Sequence, residues 1–260
     1  MNEEKKISYS ELKNWKECPY RHKLIYIDQL PRFQGNEYTA FGTAIHKTCE
    51  EGILSENKNL KVIFQTSFRQ EVERLRSIDV ELDETLLQEM KSQSIPICEN
   101  VIPSVKSHFK KFEVISVEEE ILEDITEFNS YGKKFKGFID LVIKTEDGKY
   151  HIIDWKTCSW GWSSHKKTDS LTNYQLTYYK NYFAKKHKID PKLIETYFVL
   201  LKRTAKKENV EILRVTSGQK KIQNSLNVLE NAVINIERKN YVKNRLSCKY
   251  CDFYKTESCK

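Results

Sequence analysis

The chain has 260 residues, of which 39% are hydrophobic, 12% aromatic and 31% charged, with a formal net charge of +7. That length holds one generous domain with an ample core, and the composition excludes a disordered or fibrous chain. No apolar run approaches the roughly 20 residues that span a bilayer, and the N-terminus lacks a signal-peptide core, so a cytoplasmic protein without a membrane partner is expected. Seven cysteines in such a chain point away from structural disulfides. Lysine pairs such as Lys110-Lys111, Lys166-Lys167 and Lys220-Lys221 could meet a polyanion such as nucleic acid.

In chain order, Ser8-x-x-Glu11 predicts the start of a helix that carries Leu12 and Trp15 and is interrupted by Pro19. Cys18, taken alone, reads as a buried thiol. A helix is expected over 38–53, with His46 on it. Helical spacing continues over 57–112, first through Leu60, Phe64, Phe68, Val72 and Leu75, then over 84–90, then beyond Pro96. An extended run at 112–128 ends in the turn cluster Asn129-Ser130-Tyr131-Gly132; it carries the adjacent acids Glu118 and Glu119, between which spacing does not choose.

The most informative stretch is 136–157. Two strand-like runs, 135–143 and 150–155, flank Glu146-Asp147-Gly148 and predict a hairpin. Asp140 sits between Ile139 and Leu141, and Asp154 between Ile153 and Trp155, where a buried sheet normally carries aliphatic side chains. Unpaired buried carboxylates are costly, so two of them in adjacent strands suggest a neutralising cation, and oxygen ligands favour Mg²⁺ or Mn²⁺. Lys156 follows Asp154 by two residues and shares its face. Two carboxylates and an ammonium can bind a metal, position a water and stabilise charge on a phosphate.

After a polar loop with Trp160 and Trp162, a helix over 171–187 places Gln175 and Tyr179 one turn apart. Strands at 194–202 and 210–215 and an amphipathic helix at 219–238 follow. The tail holds Cys248-x-x-Cys251 and Cys259, three thiols that leave a tetrahedral site one ligand short. Strands alternating with helices around a central hairpin argue for an α/β core with a mixed sheet flanked by helices.

Gly137-x-x-Asp140, Asp154-x-Lys156 and Gln175-x-x-x-Tyr179 together resemble the PD-(D/E)XK nuclease superfamily, in the branch of RecB, AddB and the CRISPR-associated RecB-like exonucleases. The resemblance implies a single restriction-endonuclease-like domain over 1–260 with a helical insertion at 54–112. It implies a metal-dependent deoxyribonuclease, most often an exonuclease on single-stranded or free-ended DNA, working in recombination, repair or replication, where protein partners are expected. Asp140 and Asp154, His46 in its Phe-Gly-x-x-x-His setting and the carbonyl of Trp155 would hold the metal; Lys156 would orient or activate the water. Gln175 would support the site and Tyr179 would face substrate. Cys18, Cys248, Cys251 and Cys259 would hold a 4Fe-4S cluster joining residue 18 to the 240–260 segment, with structural Zn²⁺ as the rival on ligand chemistry. The alternative function is a DNA-binding iron-sulfur subunit of a larger complex with weak or no nuclease activity; completeness of the catalytic set favours the enzyme.

Overall fold

The computed structural model describes residues 5–31, 33–55 and 59–260; positions 57 and 58, where the helical reading of the insertion begins, lie outside them. The chain opens with strand β1 (Lys6–Ser8) and helix α1 (Tyr9–Glu17). Ser8 Oγ accepts the Glu11 N–H at 3.1 Å, as the Ser-x-x-Glu spacing predicts. Pro19 starts a short helix α2 (Pro19–His22), which runs on as a π turn over Lys23–Ile27. Helix α3 (Glu37–Leu54) begins at Asn36, whose side chain accepts from the Tyr38 and Thr39 N–H groups.

Helices α4 (Leu60–Arg76) and α5 (Glu84–Phe109) follow. The two passes expected on either side of Pro96 are one helix, with Pro96 and Pro103 inside it. An interior proline costs about 3 kcal/mol. The α5 stripe of Leu87, Met90, Ile97, Val101 and Val105 is buried along its length, and at roughly 1.5–3 kcal/mol per buried side chain it offsets both prolines.

The rest of the chain is β2 (Phe112–Asp124), β3 (Lys134–Thr145), β4 (Tyr150–Cys158), α6 (Ser164–Thr168), α7 (Ser170–His187), β5 (Ile194–Lys202), β6 (Val210–Val215) and α8 (Gln219–Glu237). The expected hairpin is β3 and β4, paired antiparallel from Leu141–Ile153 to Lys144–Tyr150. β4 lies parallel to β5, so the sheet is mixed, in the order β1-β3-β4-β5-β6 with β2 on the other edge of β3. One face packs Phe135, Tyr178, Tyr182, Phe198 and Leu229 under α7 and α8. The other packs Phe41, Phe64, Phe68, Val101, Trp155 and Val199 under α3, α4 and α5. Among the described residues no helix is long and apolar enough to cross a membrane.

Sequence periodicity does not anticipate β1. Parallel to β3, it pairs with residues Lys134 to Lys136. Because β2 occupies the far edge of β3 throughout, β1 and β4 share the near edge, and between them Gly137 to Asp140 face no strand there. The sheet is forked at this point. Opposite the fork, Glu118 adopts a left-handed φ of 50° in the middle of β2. There the strand changes faces: Val117 packs with the α3 side, whereas Glu119 meets Lys186 and His187 of α7.

Phe135 is fully buried and stacks on Tyr182 with centroids 4.5 Å apart. Phe135→Ala is expected to cost about 3–5 kcal/mol, read as a lower denaturant midpoint with an unchanged slope.

Candidate active site

Asp140 lies at the last unpaired position of β3, and Asp154 on β4 just past the end of their ladder. A continued ladder would give the Trp155 N–H a backbone carbonyl; here it donates to Asp140 Oδ2 at 2.7 Å. In an extended strand the N–H and C=O of one residue point to the same side, so the Trp155 carbonyl turns into the fork as well. Helix α3 brings His46 Nδ1 to 3.5 Å from Asp140 Oδ2. Lys156 Nζ is 2.5 Å from Asp154 Oδ2, an oxygen that lacks an aligned hydrogen bond. Alternation along β4 therefore does bring the Asp154 and Lys156 side chains together.

Glu118 completes the cluster. Among the described residues, His46, Glu118 and Asp140 bring three ligand atoms within 4.8 Å of one another. The left-handed turn at Glu118 decides the ambiguity between neighbouring acids: Glu118 faces the fork, while Glu119 is held by Lys186, His187 and Ser116. Nothing in the local sequence signals which of the two switches. Glu50, one turn beyond His46 on α3, is hydrogen-bonded to Glu118 and brings a further carboxyl to the edge of the site.

The electrostatics show a surplus of negative charge. Burial, and then the Asp140 carboxylate, raise Asp154 to about 6, against the pull of Lys156. Burial together with Asp140 and Glu50 raises Glu118 to about 7. For His46, burial acts downward, but the hydrogen bond and charge of Asp140 outweigh it and favour the imidazolium. This donor set of carboxylates, an imidazole and a carbonyl suits a hard or borderline divalent cation, which would neutralise the acids where protons now do so.

Gln175 and Tyr179 sit at the fork on α7. Gln175 Nε2 donates to the Tyr179 hydroxyl at 3.2 Å. The Tyr179 ring lies directly over Gly137, where any Cβ would come within 2.7 Å of Cε1. Tyr179 is thus a buried wedge in the fork, with Gln175 bracing it. The two loop tryptophans part company: Trp162 packs on Phe198 at 5.0 Å, and Trp160 is 78% exposed.

Away from the fork, Cys18, Cys248, Cys251 and Cys259 line one cavity of about 100 Å³. Asn244 clasps the two chain ends beside it: its backbone N–H reaches Cys18 Sγ at 3.3 Å and its side chain donates to Glu17 O at 2.8 Å. Tyr20 OH reaches Ser258 O at 3.1 Å. Among the described residues, the three possible metal ligands found within 4.8 Å of one another lie at the fork rather than here. Cys49 and Cys98 are buried elsewhere, and Cys158 is half-buried at the end of β4.

A family model described as the PD-(D/E)XK nuclease superfamily matches residues 6–256. A crystal structure from Eubacterium rectale that carries a provisional exonuclease name is 14% identical, with a TM-score of 0.57 over 96% of this chain and 86% of that one. The solved structure of SSO0001 is 18% identical and covers 85% of this chain and 96% of that one, with a TM-score of 0.39. No curated protein matches the sequence.

Two predictions follow from the geometry and charge. Gly137→Ala is expected to push Tyr179 from the fork and to destabilise the fold by about 1–3 kcal/mol, whereas Gly148→Ala, with open space around its Cβ, leaves the Tyr179 environment unchanged; tyrosine fluorescence and thermal melts read both. The raised carboxyls mean that the metal-free folded chain holds protons which the unfolded chain has lost, from the ordinary values of 3.8 and 4.5 up to about 6 and 7. This contribution to stability grows as pH falls from 7.5 to 5. Binding Mn²⁺ should then release more protons at pH 6 than at pH 8, measured by calorimetry in buffers of different ionisation enthalpy; a release independent of pH would contradict it.

Proposed function

The chain belongs to the PD-(D/E)XK nuclease superfamily, and on that footing we propose that it is a divalent-metal-dependent deoxyribonuclease of the RecB-like branch that works from the ends of single-stranded DNA. The observation that carries this reading is the cluster of His46, Glu118 and Asp140, with the Asp154–Lys156 pair on the neighbouring strand. His46, Asp140, Asp154 and the carbonyl of Trp155 would hold the cation, with Glu118 within reach as a further carboxylate. Mg²⁺ or Mn²⁺ bound there supplies Lewis acidity toward the phosphate and a water of lowered pKa; the imidazole makes Mn²⁺ competitive.

The remaining steps belong to the chain's own residues. Lys156 holds the attacking water in line with the scissile phosphorus and places its ammonium beside the charge that develops on the phosphate oxygens. The water oxygen bonds to phosphorus as it gives a proton to solvent, the P–O bond opposite it breaks, and the departing oxygen takes a proton from solvent. Asp140, fixed by the Trp155 N–H, cannot swing away from the site. Gln175 and Tyr179 keep the fork open at a fixed width.

For the second centre we propose a 4Fe-4S cluster on Cys18, Cys248, Cys251 and Cys259. Four thiols around one cavity match the ligand count of a cubane in which each sulfur binds a different iron. The Asn244 N–H directed at Cys18 Sγ is the kind of donor that steadies a thiolate ligand.

End-labelled linear and circular single-stranded DNA, incubated with Mn²⁺ or Mg²⁺, test the first centre. Linear DNA is expected to be degraded and circular DNA spared, with Asp154→Ala and Lys156→Ala each slower by about a hundredfold or more; a wild type that cuts neither with either ion would sink the proposal. Protein purified without oxygen should be brown and contain iron and sulfide, and Cys251→Ala should be colourless. A colourless wild type holding one zinc ion would overturn the cluster assignment.

A further inference from the structure

Resting on the nuclease reading of the fork, we infer that the uncovered sheet face beside Asp140 binds the single strand next to the scissile phosphate, with Phe138 as the ring on which a base stacks. On this face α3, α4 and α5 cover the sheet from Leu141 onward, but the part built by β1 and the start of β3 carries no helix. Phe138 there is 43% exposed although it lies in the interior of a strand. A ring left uncovered beside a groove forgoes burial and offers its face for stacking.

The placement favours nucleic acid. Phe138 is two residues before Asp140 and points to the same side as the acid, which puts the ring about 7 Å along the strand from the metal-binding carboxylate. A strand whose phosphate is held at the fork has its neighbouring nucleotide over this ring. A groove of about 440 Å³ runs here between Phe138, Lys136 and Gly137 on one side and Lys6, Ser10 and Tyr26 on the other, and Tyr179 closes its inner end. The groove thus ends at Tyr179 and Gly137, beside the fork.

Charge fits the same occupant. Lys6 is exposed at the rim, and Lys136 lies 5.2 Å from the centre of the Phe138 ring, where its ammonium is near both the ring face and any phosphate passing over it. Glu120 pairs with Lys136 at 3.3 Å and Glu11 with His22 at 2.9 Å, so among the described residues Lys6 is the cation at the rim left to meet a phosphate. Stacking on an exposed ring needs an unstacked base, which a single strand offers and an intact duplex hides within its own stack. Phe138 thereby becomes a residue that selects single strands over duplex, and it does so without touching the reacting atoms.

The test is equilibrium binding without turnover. Fluorescein-labelled oligo-dT and a duplex of the same length are titrated with wild type, Phe138→Ala, Phe138→Leu and Phe138→Tyr in the presence of EDTA, and 2-aminopurine at successive positions from the oligonucleotide end reports stacking. Phe138→Ala and Phe138→Leu should weaken single-strand binding roughly five- to hundredfold. They should also remove 2-aminopurine quenching at one position, whereas Phe138→Tyr retains both and duplex binding is unchanged in all. Unchanged single-strand affinity in Phe138→Ala, or a Phe138→Leu as good as wild type, would overturn the inference. Because no cleavage is involved, this failure is separate from that of the nuclease reading, which would appear as a wild type that cuts nothing with either metal.

Discussion

Everything at the functional end of this molecule depends on one edge of β3 changing partners. Between the segment paired with β1 and the segment paired with β4, residues Gly137 to Asp140 would leave backbone groups without a ladder, and a buried unpaired polar group costs about 1–3 kcal/mol. The site residues fill the gap. Asp140 takes the Trp155 N–H, and the Tyr179 ring fills the space over Gly137. The carboxylate offered to a metal is thus also a structural substitute for a backbone carbonyl, which fixes its position before any ligand arrives. That is preorganisation obtained from the sheet itself.

A second constraint is the face change at Glu118. A non-glycine residue in the left-handed region costs about 1–2 kcal/mol, and in β2 that cost allows two successive acids to do opposite things. Glu119 is neutralised by Lys186 and His187, while Glu118 is turned towards Asp140, His46 and Glu50, where its proton is hard to lose. The strain and the unfavourable charge density lie at the same point of the fold. Backbone strain of this kind persists only where the surroundings over-determine it, here through pairing with β3 on both sides of the kink.

The cysteine cavity and the fork share a structural element. Cys18 ends α1, whose other end continues directly into β1, the strand that forms one arm of the fork. Asn244 and Ser247 hold the carbonyl of Glu17, and Val242 accepts from Tyr20 N–H, so the last segment of the chain braces the first. A ligand on the four thiols would stiffen α1 and, through it, the wall of the groove that leads to Asp140. A helix of nine residues joins the cavity to the fork.

Local physics made much of this legible. The caps at Ser8 and the ends of β5 and β6 follow from capping chemistry and two-residue periodicity, and the pairing of Asp154 with Lys156 follows from alternation within one strand. Gln175 and Tyr179 meet because a helix repeats every 3.6 residues. What the sequence could not reveal are the relations that need distant chain segments in place. β1 is too short to carry a pattern and exists because Lys134 to Lys136 offer it an edge more than a hundred residues away. Pro96 stays inside α5 because tertiary burial outweighs its local cost, and only pairing across the sheet decides that Glu118 rather than Glu119 turns towards the fork. By itself the sequence determined which chemical groups are present and how neighbours a few residues apart are spaced, since bond geometry repeats locally. The tertiary structure alone decided where the sheet forks, because a missing strand is a property of the assembled neighbours and leaves no periodic mark on the chain that lacks it.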